Sequence, residues 1–165
     1  MAAMRMLRHL CATRAGTRRR FTDAVHASIE SAIRDAETRT SGEIRLVIET
    51  ALDIAELWAG VTPRERAAQV FSQLRVWDTE LRNGVLIYVM AADRDVEIVA
   101  DRGAAGRIAV ADWEAACQLM EAHFRSARFA EGALAGVAAV GGLLERHFPA
   151  RAVERDELPN QPTLL

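Results

Sequence analysis

Residues 85–90 (VLIYVM) and 96–100 (VEIVA) are two runs rich in β-branched and aromatic side chains, joined by a short charged turn at Asp93, Arg94 and Asp95. That pattern predicts an antiparallel hairpin. In such a hairpin the start of the first strand lies beside the end of the second, so Asn83 and Asp101 become neighbours, with Asp78 and Glu80 close by. Several carboxylates at one sheet end repel one another unless a cation or a set of strong donors balances them. That sheet end is the expected site.

The flanking sequence supplies the rest of an α/β unit. Thr22 is the expected cap of a helix over 22–38, with Val25, Ile29, Ala32, Ile33 and Ala36 at helical spacing. Ser41-Gly42 breaks it, and 43–49 (EIRLVIE) reads as a strand. After a connection of open form over 50–61, Thr62-Pro63 with Glu65 opens a second helix. Ala67, Ala68, Val70, Phe71 and Leu74 of that helix are expected to face the core. A loop at 103–106 and two helices, about 112–125 and 129–148, follow the hairpin, and Pro149 ends the last one. The order is α-β-α-β-β-α-α. A helical crossover favours parallel, right-handed pairing of the first two strands, and the hairpin returns the third strand antiparallel. The fold class is therefore α/β, a three-layer α/β/α sandwich around a small mixed sheet. The expected divisions are a basic leader over 1–20, the domain over 21–150 and a polar tail over 151–165, either an extended strap or disordered. Three corners, Ser41-Gly42-Glu43, Asn83-Gly84 and Asp101-Arg102-Gly103, should converge on one sheet edge.

Composition narrows the function. Half the residues are apolar, 27% are charged and the net charge is −2, which suits one soluble domain and argues against nucleic-acid binding. All 21 basic residues are Arg, so no Lys can form a Schiff base or anchor a phosphate. Cys11 and Cys117 have no metal or redox spacing, and a reduced, cytoplasmic setting is the simplest reading. Six Arg and no acid precede Asp23. Met4, Leu7, Leu10 and Cys11 would line one face of a short basic helix there. Such a helix could rest on anionic lipid at the inner membrane, dock on the domain or remain poorly ordered. The uncharged run 132–144 is too short to span a bilayer, which needs roughly 20 apolar residues. Its glycines read as close packing on the sheet.

Motifs for phosphate loops, zinc proteases and serine hydrolases are absent from the sequence. His9, His26, His123 and His147 have no ligand or triad spacing, and Cys117 reads as a core thiol. Trp58, Trp77 and Trp113 are expected to anchor helices and loops on the core. The carboxylates remain. Asp78, Glu80, Asp101 and Glu43, with Asn83, are hard oxygen donors suited to Ca2+ or Mg2+. The competing reading is that Asp78 and Asp101 cap elements and pair with Arg75, Arg82 or Arg102. Asp93 and Asp95 form a rival cluster at the carboxyl ends of the parallel strands, where α/β ligands usually sit.

Ser41-Gly42-Glu43, Arg64-Glu65-Arg66-Ala67, NGVLIY from Asn83, EIVADRG from Glu97, Phe129-Ala130-Glu131-Gly132 and His147-Phe148-Pro149 together resemble the TPM domain family. Asp156-Glu157-Leu158-Pro159 resembles the tail of its short bacterial branch. The resemblance covers roughly residues 20–160 and implies a compact three-layer α/β module. It further implies divalent-cation binding, often of calcium, and acid phosphatase activity in one plant branch. Partnership with LemA-type membrane proteins is implied by bacterial relatives. This chain departs from the family with Arg82 where an acid is common before Asn-Gly, and with Asp101-Arg102-Gly103 where Gly-Tyr-Gly is common. The leading expectation is a non-enzymatic module that binds a divalent cation, a protein partner or both. The alternative is a metal-assisted acid phosphatase, with Asp78, Glu80 and Asp101 on the ion and Arg82 or Arg102 clamping phosphate.

Overall fold

The computed structural model describes residues 2–150 and 156–165. Two short helices, α1 (Ala2–Cys11) and α2 (Arg14–Arg20), precede α3 (Asp23–Glu37) and strand β1 (Glu43–Glu49). The crossover holds α4 (Ile54–Trp58) and α5 (Pro63–Gln73) and leads to β2 (Gly84–Met90). Then come β3 (Asp95–Ala100), α6 (Arg102–Ala105), α7 (Val110–Arg125), α8 (Phe129–His147) and a two-residue strand, β4 (Thr163–Leu164).

The helices start where their capping chemistry dictates. The Thr22 hydroxyl accepts from the backbone N–H of Val25. Thr62 with Glu65, and Asp53 with Glu56, form reciprocal capping boxes that satisfy otherwise orphaned N–H groups. The sheet order is β3-β2-β1-β4. β1 is parallel to β2, with Glu43 opposite Gly84, and β2 is antiparallel to β3, with Val85 opposite Ala100. The expected order and pairing of the three main strands are present. The fourth strand comes from the tail and lies parallel to β1.

Side chains alternate across the sheet as strand geometry requires. Ile44, Leu46, Ile48, Val85, Ile87 and Val89 join one buried cluster with residues of α3, α7 and α8. Phe21, Phe124 and Phe129 close that cluster at ring separations of 5.4–6.4 Å. Val47, Leu86, Tyr88 and Met90 form the other cluster with Ala67 and Val70 of α5 and Leu158 of the tail. β2 is buried along its whole length, which explains its unbroken apolar sequence.

Some local expectations are corrected. Residues 103–106 are not simply a loop: a turn of helix, α6, begins at Arg102 with Asp101 as its cap. Ala68 faces solvent. Trp58 and Trp77 are exposed rather than anchored in the core, and only Trp113 is buried. The two cysteines form no disulfide, and burial pushes the Cys117 thiol up to about 12, as an unreactive packed thiol requires. No helix among the described residues is long and apolar enough to cross a membrane.

The glycines of α8 have unequal roles. A Cβ on Gly136 would collide with the Met120 side chain of α7, whereas one on Gly142 would meet nothing closer than Arg146 at 3.9 Å. Gly136→Val is expected to lower stability by about 1–3 kcal/mol through overpacking. Gly142→Ala should raise it by up to about 1 kcal/mol through helix propensity. Urea titrations of the two variants check both signs.

Candidate metal centre

α3 ends at Glu37, a tight turn returns the chain, and β1 begins at Glu43. The turn is tied to the far end of α8: the Thr40 hydroxyl and the Ser41 N–H both donate to the Phe148 carbonyl, at 2.5 and 2.9 Å. The amino end of β1 therefore sits beside the last turn of its preceding helix, and the C-terminal strap crosses the same spot. The Leu158 N–H donates to Glu43 Oε2 at 3.1 Å, and the Ile44 N–H donates to Glu37 Oε1 at 2.9 Å.

Glu37, Glu43 and Asp156 each bring a carboxylate oxygen within 4.8 Å of the other two. Among the described residues no Arg or His forms an ion pair with any of them. Burial, reinforced by Glu43 and Asp156, pushes the Glu37 carboxyl up to about 8 despite the bond from Ile44. Burial likewise pushes Glu43 up to about 7, against the backbone donors of the strap. Asn160 completes the group. It is 8% exposed and its Nδ2 donates to Asp156 Oδ2 at 3.1 Å, while its Oδ1 has no hydrogen-bond partner among the described residues. Half a turn of that amide would exchange Nδ2 for Oδ1 in front of Asp156. Oxygens that share a Ca2+ at about 2.3–2.6 Å lie at most about 5 Å apart, so this donor set suits calcium. Mg2+, with contacts of about 2.0–2.1 Å, would need a tighter approach or intervening water.

The three predicted corners do meet here. Asn83 Nδ2 donates to the Ser41 carbonyl at 2.5 Å, and the Asp101 N–H donates to the Gly84 carbonyl at 2.9 Å. Their side chains have other duties, however. Of the predicted oxygen ligands only Glu43 belongs to the carboxylate group. Asn83 is buried and stitches the two corners together, and the Asp101 carboxylate accepts from the Arg102 N–H at 2.7 Å. Asp78 and Glu80 are exposed on the connection before β2, where the Glu80 N–H, rather than its carboxylate, is held by Glu157. Arg82 and Arg102 are exposed, and Arg82 occupies the left-handed region at φ 52°.

Glu37 and Asp156 escaped the sequence reading. Glu37 left a faint signal, since a carboxylate in the last turn of a helix opposes the helix dipole and asks for a partner. Asp156 left none, because nothing local places the tail.

The rival cluster at the opposite sheet end is neutralised. Asp93 pairs with Arg5 at 2.9 Å and with Arg8 at 3.0 Å, and accepts from His9 Nε2 at 3.0 Å. Burial opposes the Asp93 carboxylate, but the bonds from His9 and Arg5 outweigh it and hold its pKa below the ordinary value. Asp95 is pushed up to about 6, chiefly by burial.

A three-layer α/β sandwich with an acidic pole at the amino ends of its parallel strands describes the class of protein. The chain belongs to the TPM domain family, whose model matches residues 18–143. It is similar to the BA42 protein of the psychrophilic bacterium Bizionia argentinensis, solved by NMR, at 33% identity and a TM-score of 0.77, over 87% of this chain and 94% of that one. It shares its fold with the N-terminal domain of a protein from P. gingivalis, at 20% identity and a TM-score of 0.63, covering 79% and 82% of the two chains. The N-terminal domain of a Corynebacterium glutamicum protein matches at 17% identity and 0.57, covering 81% and 80%. No curated protein matches the chain.

Proposed function

We propose that this TPM domain binds a divalent cation, calcium in preference to magnesium, through Glu37, Glu43, Asp156 and Asn160, and that the ion staples the C-terminal strap to the amino end of β1. The observation that carries the reading is the meeting of three carboxylates within 4.8 Å beside the buried Oδ1 of Asn160, which has no hydrogen-bond partner among the described residues. Two of the ligands come from the domain and two, Asp156 and Asn160, from the strap, so binding and strap docking are one event. The raised carboxyls of Glu37 and Glu43 hold protons near neutrality, and an ion must displace them.

A non-catalytic role fits this geometry better than phosphate-ester hydrolysis. The phosphatase reading needs Asp78, Glu80 and Asp101 around one ion with Arg82 or Arg102 as clamp. Asp101 is instead engaged by a backbone N–H, Asp78 and Glu80 are exposed, and neither arginine side chain has a hydrogen-bond partner among the described residues.

Calorimetric titration of chelator-treated protein with Ca2+ and then Mg2+ tests the proposal. Binding is expected to tighten from pH 6 to pH 8.5 with release of protons, and to weaken at least tenfold in Glu43→Gln. Asp101→Ala should still bind. No heat at millimolar ion, or unchanged binding in Glu43→Gln, overturns it.

A further inference from the structure

α1 is amphipathic, and it docks the wrong way round for a helix of a soluble domain. Such a helix normally buries its apolar stripe. Here the polar side faces inward. Arg5 donates to Asp93 at 2.9 Å and to the Val61 carbonyl at 3.0 Å, and Arg8 pairs with Asp93 at 3.0 Å. His9 is 3% exposed, and its Nδ1 accepts the Leu52 N–H at 3.0 Å. A backbone N–H can only donate, so the His9 proton sits on Nε2 and is given to Asp93. These bonds run from Arg5 to His9 along α1 and leave Met4, Leu7 and Leu10 facing outward at 57–66% exposure.

The neighbouring helix α4 also exposes apolar side chains. His9 and Arg5 grip the two ends of the segment that carries α4, from Leu52 to Val61, and α4 exposes Ile54 and Trp58, the latter at 76%. Five of the exposed large apolar side chains thus gather at one end of the molecule, the carboxyl end of β1 and β2. Arg14, Arg18 and Arg19 of α2 are exposed beside them, and none forms an ion pair among the described residues. Most acids at this end are already engaged: Asp93 with Arg5 and Arg8, Glu56 with Arg66, Glu121 with Arg125, and Asp53 in its capping box, while Asp95 is half-buried and forms no ion pair among the described residues. The carboxylate group of Glu37, Glu43 and Asp156 lies at the other end of the sheet.

We infer that this end of the molecule is a docking face for an anionic lipid bilayer, with α1 lying in the plane of the headgroups and α2 supplying the cationic flank. A helix rich in Arg on its flanks and apolar on one face binds at the headgroup–acyl boundary. Trp prefers that depth, and arginine stems reach out to phosphates while their methylenes stay apolar. A second copy of this chain fits less well, because self-complementary pairing through α1 would bring two arginine-rich α2 helices together, like charge against like. The inference is independent of the cation site.

Co-sedimentation with 100 nm vesicles tests it. The full chain should bind vesicles of phosphatidylglycerol and phosphatidylcholine at low salt. Binding should be at least tenfold weaker on pure phosphatidylcholine and should fall as salt is raised. Leu7→Glu with Leu10→Glu should reduce binding at least tenfold, as should Arg14, Arg18 and Arg19 changed together to Gln. Because all five side chains are exposed, far-UV circular dichroism of these variants should match the parent. Tryptophan emission should shift to the blue on binding, and the shift should shrink in Trp58→Phe. Equal binding to neutral vesicles, binding that survives Leu7→Glu with Leu10→Glu, or no binding at all overturns the inference. So does a vesicle-independent dimer that the same double variant dissolves, which would make the face a contact between copies.

Discussion

Arg66→Ala is expected to lower the unfolding free energy by about 3–5 kcal/mol, the usual result of stranding one half of a buried ion pair. Glu49, the last residue of β1, is only 7% exposed at its side chain, and Arg66 of α5 grips it with both arms of its guanidinium. Nε lies 2.9 Å from Oε2 and Nη2 lies 2.7 Å from Oε1. The Tyr88 hydroxyl donates to the same Oε2. Burial first and then the Glu49 carboxylate push the Tyr88 phenol up, so it remains a donor at every pH the fold survives. Without Arg66 the carboxylate would have one neutral donor and almost no water. Lysine should rescue poorly, since a point charge cannot reproduce the fork. The source of the loss can be isolated. Combining Arg66→Met, Glu49→Leu and Tyr88→Phe removes charge and unsatisfied hydroxyl together, and should recover most of the stability. Urea midpoints at unchanged slope are the readout. A loss below about 1 kcal/mol in Arg66→Ala would mean the pair behaves as a surface bridge.

Metal-free protein should become less stable as pH rises from 5 to 8, by several kcal/mol. This is opposite to the ordinary effect of a salt-bridged carboxylate. The folded-state carboxyls of Glu37 and Glu43 lie at about 8 and about 7 against 4.5 for the free group. Between those limits the unfolded chain has released its protons while the folded one keeps them. The unfolded state therefore binds fewer protons, and the slope of stability with pH is negative. The groups facing this pair are Asp156 and Glu157 of the strap, which add repulsion, and the Asn160 amide, which relieves some of it. Glu37→Gln should flatten the slope. Calcium at a hundredfold excess over its dissociation constant should return about 2.7 kcal/mol, most visibly at pH 8. Denaturation with and without chelator across this range checks both parts. A flat profile in chelator would show that the carboxyls are solvated.

Much of the fold was legible because its signals are local. Ser41-Gly42 followed by EIRLVIE defines β1 to the residue, and Thr62-Pro63 with Glu65 marks the start of α5 through chemistry contained in four residues. The parallel pairing followed from the crossover, and the converging corners followed from the pairing. What was not legible depends on distant contacts. β4 has two residues and no periodicity, and it exists because β1 offers an edge. The orientation of α1 could not be read from its pattern. The stripe of Met4, Leu7 and Leu10 allows docking on the domain as readily as contact with lipid, and it is Asp93, far along the chain, that turns the polar side in. The site shows the same division: Glu43 was visible at the start of a strand, whereas Asp156 reaches it through the path of the strap. Trp58 and Trp77 were misplaced because a tryptophan's bulk favours burial but does not compel it.

The pairing of β1 with β4 also has a consequence in time. Thr163 and Leu164 bond to Val47 and Ile48, and Arg45 reaches Gln161 across 116 positions of sequence. As the chain emerges from a ribosome, β1, β2 and β3 and the helices α1 to α8 are complete before this partner exists. During that interval β1 carries a row of unpaired N–H and C=O groups along one side, the template on which strands of other chains add. The strap ends that interval at Val47 and Ile48, where the latest-made strand of this sheet covers part of the edge that has been open longest.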